Sequence, residues 1–185
     1  MSKLLKDKKI LIGVTGSIAA YKTQLLVREL VKAEAEVHVV MTPASTNFVT
    51  ALTMANLSRN PVISDMFDKE QQKEGAWHIH AVHNCDLMLI APCSAATLGK
   101  IANGICDNSL VTLAMALPRN IPLLVSPAMD ATMWLHPATQ RNIKTLKKDG
   151  VIIISPEEGE LSSGLTGPGR MPDISVLISK VTEFL

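Results

Sequence analysis

Residues 9–22, KILIGVTGSIAAYK, constrain the fold more than any other stretch of this sequence. Apolar residues dominate positions 10–14 without polar alternation, which is typical of a strand buried on both faces of a parallel sheet. Two glycines then allow a tight turn, and Thr15 and Ser17 place hydroxyls where a helix begins. Because the first amides of a helix bind anions, this turn is either a phosphate site or an ordinary strand-to-helix connection. The third glycine of the dinucleotide motif and the lysine of the nucleotide P-loop are both missing.

The same arrangement, a buried strand followed by a small or polar turn, recurs three times along the chain. The strands are predicted at residues 86–91, 121–125 and 151–154, and the turns follow at 92–97, 126–129 and 155–156. With helical segments between them, these units predict an α/β fold with a single doubly wound, mostly parallel sheet of the Rossmann or flavodoxin type. Ligands of such sheets bind outside the carboxyl ends of the strands. We therefore expect the four turns to meet around one ligand.

The segments between these units have less regular patterns. Helices are predicted at 17–33 and from residue 42 to about residue 59, the second with Phe48, Leu52 and Leu57 on one face, and a weak strand follows at 62–67. Residues 68–75 are charged and predict a surface loop. Residues 157–173 are too rich in glycine and proline to predict regular structure, and a connection of that length is usually functional or disordered.

Composition limits the class of protein. The chain has 185 residues, 47% of them hydrophobic, which predicts one domain over residues 1–185 with a substantial core. A formal net charge of +1 disfavours a nucleic-acid partner, and no apolar run approaches the roughly 20 residues that span a membrane. Three cysteines without a close pair favour a reducing compartment, so we expect a cytoplasmic protein. The high apolar content favours an oligomer.

A few side chains could carry chemistry. His78, His80 and His83 precede a strand, but they lack cysteine or acidic partners at ligand spacing, so we expect no metal and favour one histidine in the ligand cleft. Exposure on a helix surface is the alternative. Cys93 is either a nucleophile or, as we favour, a packed core residue. Asp130 either caps a helix or binds a substrate amide or amine, and both roles are compatible.

Five motifs in order resemble one family. They are GSIAAYK at 16–22, HIHA at 78–81, SAATLGKIANGICDN at 94–108, PAMDATMW at 127–134 and GLTGPGRM at 164–171. Together they resemble the flavin-dependent cysteine decarboxylases, and the last motif is similar to the coenzyme A branch of that family. The resemblance implies FMN as cofactor, a homotrimer with sites between subunits, and decarboxylation of 4′-phosphopantothenoylcysteine to 4′-phosphopantetheine, a small-molecule substrate.

The resemblance also implies roles for individual residues. FMN would be bound by Gly16, Ser17, Ile18, Ser45, Phe48, Ser94, Ala95, Ala96, Thr97 and Ala128. The substrate would be bound by Met129, Asp130, Ser162, Ser163 and Gly164 on a clamp at about residues 157–172. His78, Asp130 and Ser163 would be the catalytic residues.

The chain departs from the family pattern at several of these positions. Asp130 stands where the family has asparagine, Ser163 where the clamp has a proton-donating cysteine, and Ala96 where the flavin loop has asparagine. A serine hydroxyl is a far weaker acid than a thiol. The alternatives are therefore a peptidyl-cysteine decarboxylase that releases an enethiol, or a catalytically impaired FMN-binding regulatory subunit. A flavin prenyltransferase is disfavoured because two of the motifs would have no role there.

Overall fold

A six-stranded parallel sheet forms the centre of the chain in the computed structural model, which describes residues 5–69, 73 and 75–185. The spatial order of the strands is β3-β2-β1-β4-β5-β6. The strands are β1 Lys9–Val14, β2 Glu36–Met41, β3 Val62–Ile63, β4 Leu87–Cys93, β5 Leu123–Pro127 and β6 Ile152–Ile153. The order reverses between β1 and β4, which is where ligands of doubly wound sheets bind. The predicted fold class is confirmed.

Helices pack against both faces of the sheet. They are α1 Ala20–Lys32, α2 Ala51–Ser58, α3 Trp77–His83, α4 Ala95–Asn103, α5 Ser109–Ala116, α6 Ala131–Leu135, α7 Pro137–Lys148 and α8 Ile174–Glu183. One face buries α1, α2 and α8, and the other buries α3, α4, α5 and α7. Within β1, Ile10 and Ile12 face the first group while Leu11 faces the second, so the whole strand is apolar.

The predicted segment boundaries were wrong in two helices. The first helix begins at Ala20, because residues 17–19 form the turn after β1. The second prediction is divided into a 3₁₀ helix, Pro43–Asn47, and α2, because the side chain of Thr50 accepts a hydrogen bond from the amide of Thr53 at 3.1 Å and starts a new helix. Phe48 and Leu52 are 46% and 74% exposed, so they do not form the expected core face.

Residues 157–173 contain regular structure, contrary to the prediction. Strands β7 Glu157–Glu160 and β8 Thr166–Arg170 form an antiparallel hairpin, whose turn is closed by a 2.8 Å bond from the Leu161 amide to the Leu165 carbonyl. Local composition misled here because glycine weakens a strand by itself, whereas these strands are stabilised by a partner strand and a docking surface. This segment is regular because β7 and β8 pair with each other across the hairpin.

Three further predictions concern a surface loop, membrane-spanning helices and a short strand. The expected surface loop at 68–75 falls partly outside the described residues. Within the described part of the chain, no helix is long and apolar enough to cross a membrane. The predicted weak strand at 62–67 is reduced to the two residues of β3.

The side chain of Thr15 joins the carboxyl ends of the two central strands. Its fully buried hydroxyl donates a 2.8 Å hydrogen bond to the Pro92 carbonyl and accepts one, also 2.8 Å, from the Ser94 amide. The turn after β5 is joined to the turn after β4 because the Ala128 amide donates a 3.1 Å hydrogen bond to the Cys93 carbonyl. The turns after β1, β4 and β5 are therefore linked by hydrogen bonds.

We expect Thr15→Val, which keeps the shape of the side chain, to lower the free energy of unfolding by about 2 kcal/mol, because two buried backbone groups lose their partner. Urea denaturation of this variant and the parent measures the difference. The control is Thr46→Val, whose exposed hydroxyl bonds the Pro43 carbonyl, and which we expect to be nearly neutral. Equal stability of Thr15→Val and the parent would contradict the importance of this link.

Candidate functional site

A cavity of about 630 Å³ opens at the carboxyl ends of β1, β4 and β5. Its walls come from the turns after these strands, from the first turn of α1 and from the β7–β8 hairpin. The lining residues are Gly16, Ser17, Ile18, Ala19, Tyr21, Lys22, Ser94, Ala95, Ala128, Met129, Asp130, Met133, Glu160, Leu161, Ser162, Gly169, Arg170 and Met171. Three of the four predicted turns meet here, while the turn after β6 does not line the cavity.

The turn after β1 can accept an anion. Among the described residues, none of the amides of positions 16–18 donates to a backbone carbonyl, and the Ser17 hydroxyl makes only two long 3.4 Å contacts, donating to the Ala128 carbonyl and accepting from the Ala19 amide. Gly16 lies so close to the next loop that a Cβ there would be 2.8 Å from the Cβ of Ala44. Glycine thus permits two loops to meet beside a set of available donors, which is the arrangement that phosphate groups bind.

The turn after β4 is fixed by its own cap. Ser94 is the N-cap of α4, and its hydroxyl accepts a 3.3 Å hydrogen bond from the Thr97 amide. Ser94 and Ala95 line the cavity, whereas Thr97 is buried behind them and Ala96 is exposed outside it. Both residues that line the cavity here have small side chains.

Asp130 caps α6 and also contacts the hairpin. Its Oδ1 accepts a 3.1 Å hydrogen bond from the Thr132 amide, and its Oδ2 accepts a 2.7 Å hydrogen bond from the hydroxyl of Ser163. The Ser163 hydroxyl, followed by the Thr132 amide, lowers the pKa of this carboxyl below its usual value. Asp130 is therefore an ionised acceptor near neutral pH, and two of the three departures from the family pattern, Asp130 and Ser163, contact each other.

The β7–β8 hairpin docks through its backbone. The Met129 amide donates to the Gly169 carbonyl at 3.1 Å, and Gly169 has a φ of 142° with its Cα against the Met129 carbonyl. At the base of the hairpin, Lys22 donates a 3.3 Å hydrogen bond to the Met171 carbonyl. These contacts hold the hairpin as one wall of the cavity.

Four charged side chains line the cavity. Lys22 lies 3.8 Å from Asp173, and Arg170 forms a 3.0 Å ion pair with Glu157. Asp130 and Glu160 supply the negative charges. Both cationic groups thus have carboxylate neighbours other than Asp130.

Comparison with known proteins identifies the family. The Flavoprotein family matches residues 1–185. This chain belongs to the flavoprotein family. Its resemblance to flavin-dependent cysteine decarboxylases is confirmed by curated relatives and by solved structures of similar fold.

Three curated relatives show the named activities and the chain lengths that occur among proteins similar to this flavoprotein. It is 42% identical over 178 residues to a probable phosphopantothenoylcysteine decarboxylase of Streptococcus mutans serotype c, matching 96% of this chain and 99% of that protein. It is 42% identical over 170 residues to the coenzyme A biosynthesis bifunctional protein CoaBC of Bacillus subtilis, matching 92% of this chain and 41% of that protein. A cysteine/cysteine sulfinic acid decarboxylase from an unknown prokaryotic organism is 47% identical over 138 residues, covering 74% of this chain and 37% of that protein. The flavoprotein spans about two fifths of the two longer relatives.

Solved structures match the whole fold. A PPC decarboxylase mutant with cysteine changed to serine, complexed with pantothenoylaminoethenethiol, superposes with a TM-score of 0.84 at 33% identity, covering 97% of this chain and 98% of that one. The FMN binding protein AtHal3 gives a TM-score of 0.81 at 33% identity, covering 97% of each chain.

Several residues that the sequence assigns to the site lie outside the cavity of this flavoprotein. They are Ser45, Phe48, His78, Ala96, Thr97, Ser163 and Gly164. Ser45 is fully buried, and its hydroxyl donates to the Thr42 carbonyl at 2.7 Å, so it is not an available phosphate ligand. Ser163 reaches the cavity wall only through Asp130. Their functional roles stay predictions.

Other lining residues were not assigned by the sequence reasoning. Tyr21 and Lys22 lie one turn beyond Ser17 in α1, and helical spacing could have indicated them. Glu160, Gly169 and Arg170 line the cavity because the hairpin folds back over it. The hairpin folds back because it docks against Met129, and no pattern in the local sequence indicates that contact.

The chemistry considered for Cys93 and for a metal site is not supported by the described residues outside the cavity. Cys93 is fully buried in β4, and burial raises the pKa of its thiol far above the usual value, which agrees with packing rather than nucleophilic chemistry. Among the described residues, no group of three or more His, Cys, Asp or Glu side chains could hold a metal ion.

We expect Gly169→Ala to displace the hairpin of this flavoprotein, because a Cβ would overlap the Met129 carbonyl and the residue would be strained at its φ of 142°. Strain of this kind should raise amide hydrogen exchange across residues 157–170 by roughly tenfold or more. Hydrogen–deuterium exchange followed by mass spectrometry measures it. Ser162→Ala, an exposed change on the same hairpin, should leave the exchange unchanged, and equal protection in both variants would contradict the docking described here.

Proposed function

We propose that this chain is an FMN-dependent carboxy-lyase that converts 4′-phosphopantothenoylcysteine to 4′-phosphopantetheine. The observation that carries the proposal is the cavity at the reversal of strand order, where an anion-binding turn lies opposite a docked hairpin. The relatives and the structural neighbour named as phosphopantothenoylcysteine decarboxylases support the substrate. We also infer a cytoplasmic location, where this biosynthetic step would take place.

The residues present fit FMN. The amides of positions 16–18 and the Ser17 hydroxyl would bind its phosphate, and Ser94, Ala95 and Ala128 would lie against its ring system. When bound, FMN supplies a two-electron acceptor that makes loss of a carboxylate from a cysteine group possible. The cavity volume of about 630 Å³ is in the range that holds a cofactor and part of a substrate.

The hairpin would enclose the reacting part of the substrate and limit access of water. Ser162 lines the cavity and would contact the substrate, while Ser163 would act from behind Asp130. Because the hydroxyl proton of Ser163 is donated to an ionised carboxylate, this residue is poorly placed to supply the last proton of the reaction. The final protonation would therefore use another donor, or the enethiol would be the released product.

A neighbouring subunit would complete the site. His78 lies on α3 and does not line the cavity of its own chain. At the edge of the cavity, the turn after β1 and α1 together expose three large apolar residues, Ile18, Tyr21 and Leu25, at 56%, 57% and 57%. An apolar stripe of this kind favours burial in a subunit contact. We propose a homotrimer in which His78 of one chain enters the cavity of the next.

The proposed function is tested with protein supplemented with FMN and incubated without oxygen with 4′-phosphopantothenoylcysteine. We expect bound flavin absorbance and release of carbon dioxide, and Ser17→Asp should abolish FMN binding because its carboxylate would repel the phosphate. Ser155→Asp is the matched control, since Ser155 is exposed in the turn that does not line the cavity. Absence of flavin from the supplemented parent protein would overturn the proposal.

We expect His78→Asn to keep the fold and bound FMN but to lose at least about a hundredfold in kcat, as removal of a general acid–base group does. His83→Asn, on the same helix, should be nearly silent. Mixing His78→Asn with Ser17→Asp chains and reassembling them should restore part of the activity, because hybrid sites combine one intact cavity with one intact His78. No recovery in reassembled mixed trimers would refute the contribution from a second subunit.

A further inference from the structure

Asp130 gives the cavity wall a charged group that only accepts hydrogen bonds, where the family pattern has a neutral side chain that can also donate. Both oxygens of Asp130 are already hydrogen-bonded, Oδ1 to the Thr132 amide and Oδ2 to the Ser163 hydroxyl. A carboxylate has about four acceptor positions, so two remain for a ligand. Since the two donors keep the group ionised, a ligand atom that contacts Asp130 has to donate a hydrogen bond. An asparagine in this place could instead donate to a ligand.

The negative charge of Asp130 is not neutralised by the cations that line the same cavity. Arg170 is paired with Glu157 at 3.0 Å across the hairpin. Lys22 donates to the Met171 carbonyl at 3.3 Å and lies 3.8 Å from Asp173. Neither cation forms an ion pair with Asp130 in the described part of the chain, and Glu160 adds a second carboxylate to the wall.

These charges distinguish two kinds of cysteine-type substrate. In an N-acylated cysteine the nitrogen is a neutral amide beside a carboxylate, so the group next to the scissile bond has a net negative charge that Asp130 repels. In a free amino acid the nitrogen is a protonated amine, which offsets the carboxylate and can form a charge-assisted hydrogen bond. Such bonds are roughly twice as strong as neutral ones.

We infer that Asp130 is a specificity-determining residue and that the cavity accepts cysteine-type amino acids with a free, protonated α-amine as a further class of substrate. The α-ammonium of such a substrate donates to Asp130, while Ser163 and Thr132 hold the carboxylate in place. This inference rests on the proposed decarboxylase function and adds to it an activity on unacylated amino-acid thiols. The cysteine of 4′-phosphopantothenoylcysteine is N-acylated and meets the same repulsion, so binding of that substrate would depend on its phosphopantothenoyl part.

The overall reaction needs no external oxidant. The bond between Cα and the carboxylate of cysteine breaks, carbon dioxide leaves, and a proton from solvent takes the position of the carboxylate, which gives cysteamine. The products contain every atom of cysteine and one added proton, and no net oxidation occurs.

The test compares two commercial thiols that differ only in the acyl group, L-cysteine and N-acetyl-L-cysteine. With the FMN-loaded protein we expect carbon dioxide release with kcat/KM at least about tenfold higher for cysteine. Asp130→Asn, which is isosteric, should remove or reverse this preference. If the parent protein does not release carbon dioxide from cysteine, or if Asp130→Asn lowers both values of kcat/KM equally, the inference is wrong.

A binding measurement separates this inference from the proposed function. Calorimetric titration with cysteamine and N-acetylcysteamine, which have no carboxylate to lose, should show at least about tenfold tighter binding of the amine by the parent and no preference in Asp130→Asn. Asp130→Ser, which keeps an N-cap oxygen, is the second neutral variant if the first does not fold, and Ser163→Ala should keep the preference because it keeps the charge. Equal binding of both analogues by the parent would overturn the inference even if phosphopantothenoylcysteine is decarboxylated.

Discussion

The buried hydroxyl of Thr15 is the contact on which the geometry of the cavity depends. It bonds the Pro92 carbonyl and the Ser94 amide, so the ends of β1 and β4 are fixed relative to each other at the place where the strand order reverses. The bond from the Ala128 amide to the Cys93 carbonyl extends the same arrangement to β5. A doubly wound sheet separates its strand ends at this reversal, and these three hydrogen bonds set the width of the opening. The side of the cavity formed by the turns after β1, β4 and β5 follows from them, while the hairpin wall is docked separately through Met129.

Much of the fold could be predicted from sequence because the signals are local. The central strands are continuous apolar runs that end in glycine, proline or serine, and each run is visible without knowledge of the others. The convergence of their turns then follows from the general topology of parallel sheets. The division of the segment around Thr50 was harder to predict, because a capping side chain and a continuing helix look alike in a short amphipathic stretch. The β7–β8 hairpin could not be predicted, since its strands are stabilised by each other and by Met129 rather than by their own propensities.

In the candidate site, too, local features could be predicted from sequence and long-range contacts could not. Ser17, Ser94 and Ala128 lie in the turns that the strand pattern places around one ligand, and the family resemblance assigned these residues to FMN. The contact between Asp130 and Ser163 joins positions 33 residues apart, and no spacing rule connects them. Viewed separately, each residue is an unfavourable replacement at a position to which the family resemblance gives a catalytic role. Viewed together, they form one hydrogen-bonded pair, in which the hydroxyl stabilises the charge that the carboxylate introduces. Ser45 and Phe48, which the resemblance places near the flavin, do not line the cavity, so their assignment depends on the family alone.

The hairpin is docked at its base, and its exposed tip contacts Asp130 through the hydroxyl of Ser163. Gly169 contacts Met129, and Arg170 pairs with Glu157, whereas residues 162–166 are exposed and Leu165 is 59% accessible. The sequence of the tip can therefore vary while the base keeps the hairpin docked. Tips of different length or chemistry on the same base would change the hairpin wall of the cavity without altering the turn after β1. In the proposed function, the segment that contacts the substrate and the segment that binds the phosphate would therefore be separate, and each could diversify without the other.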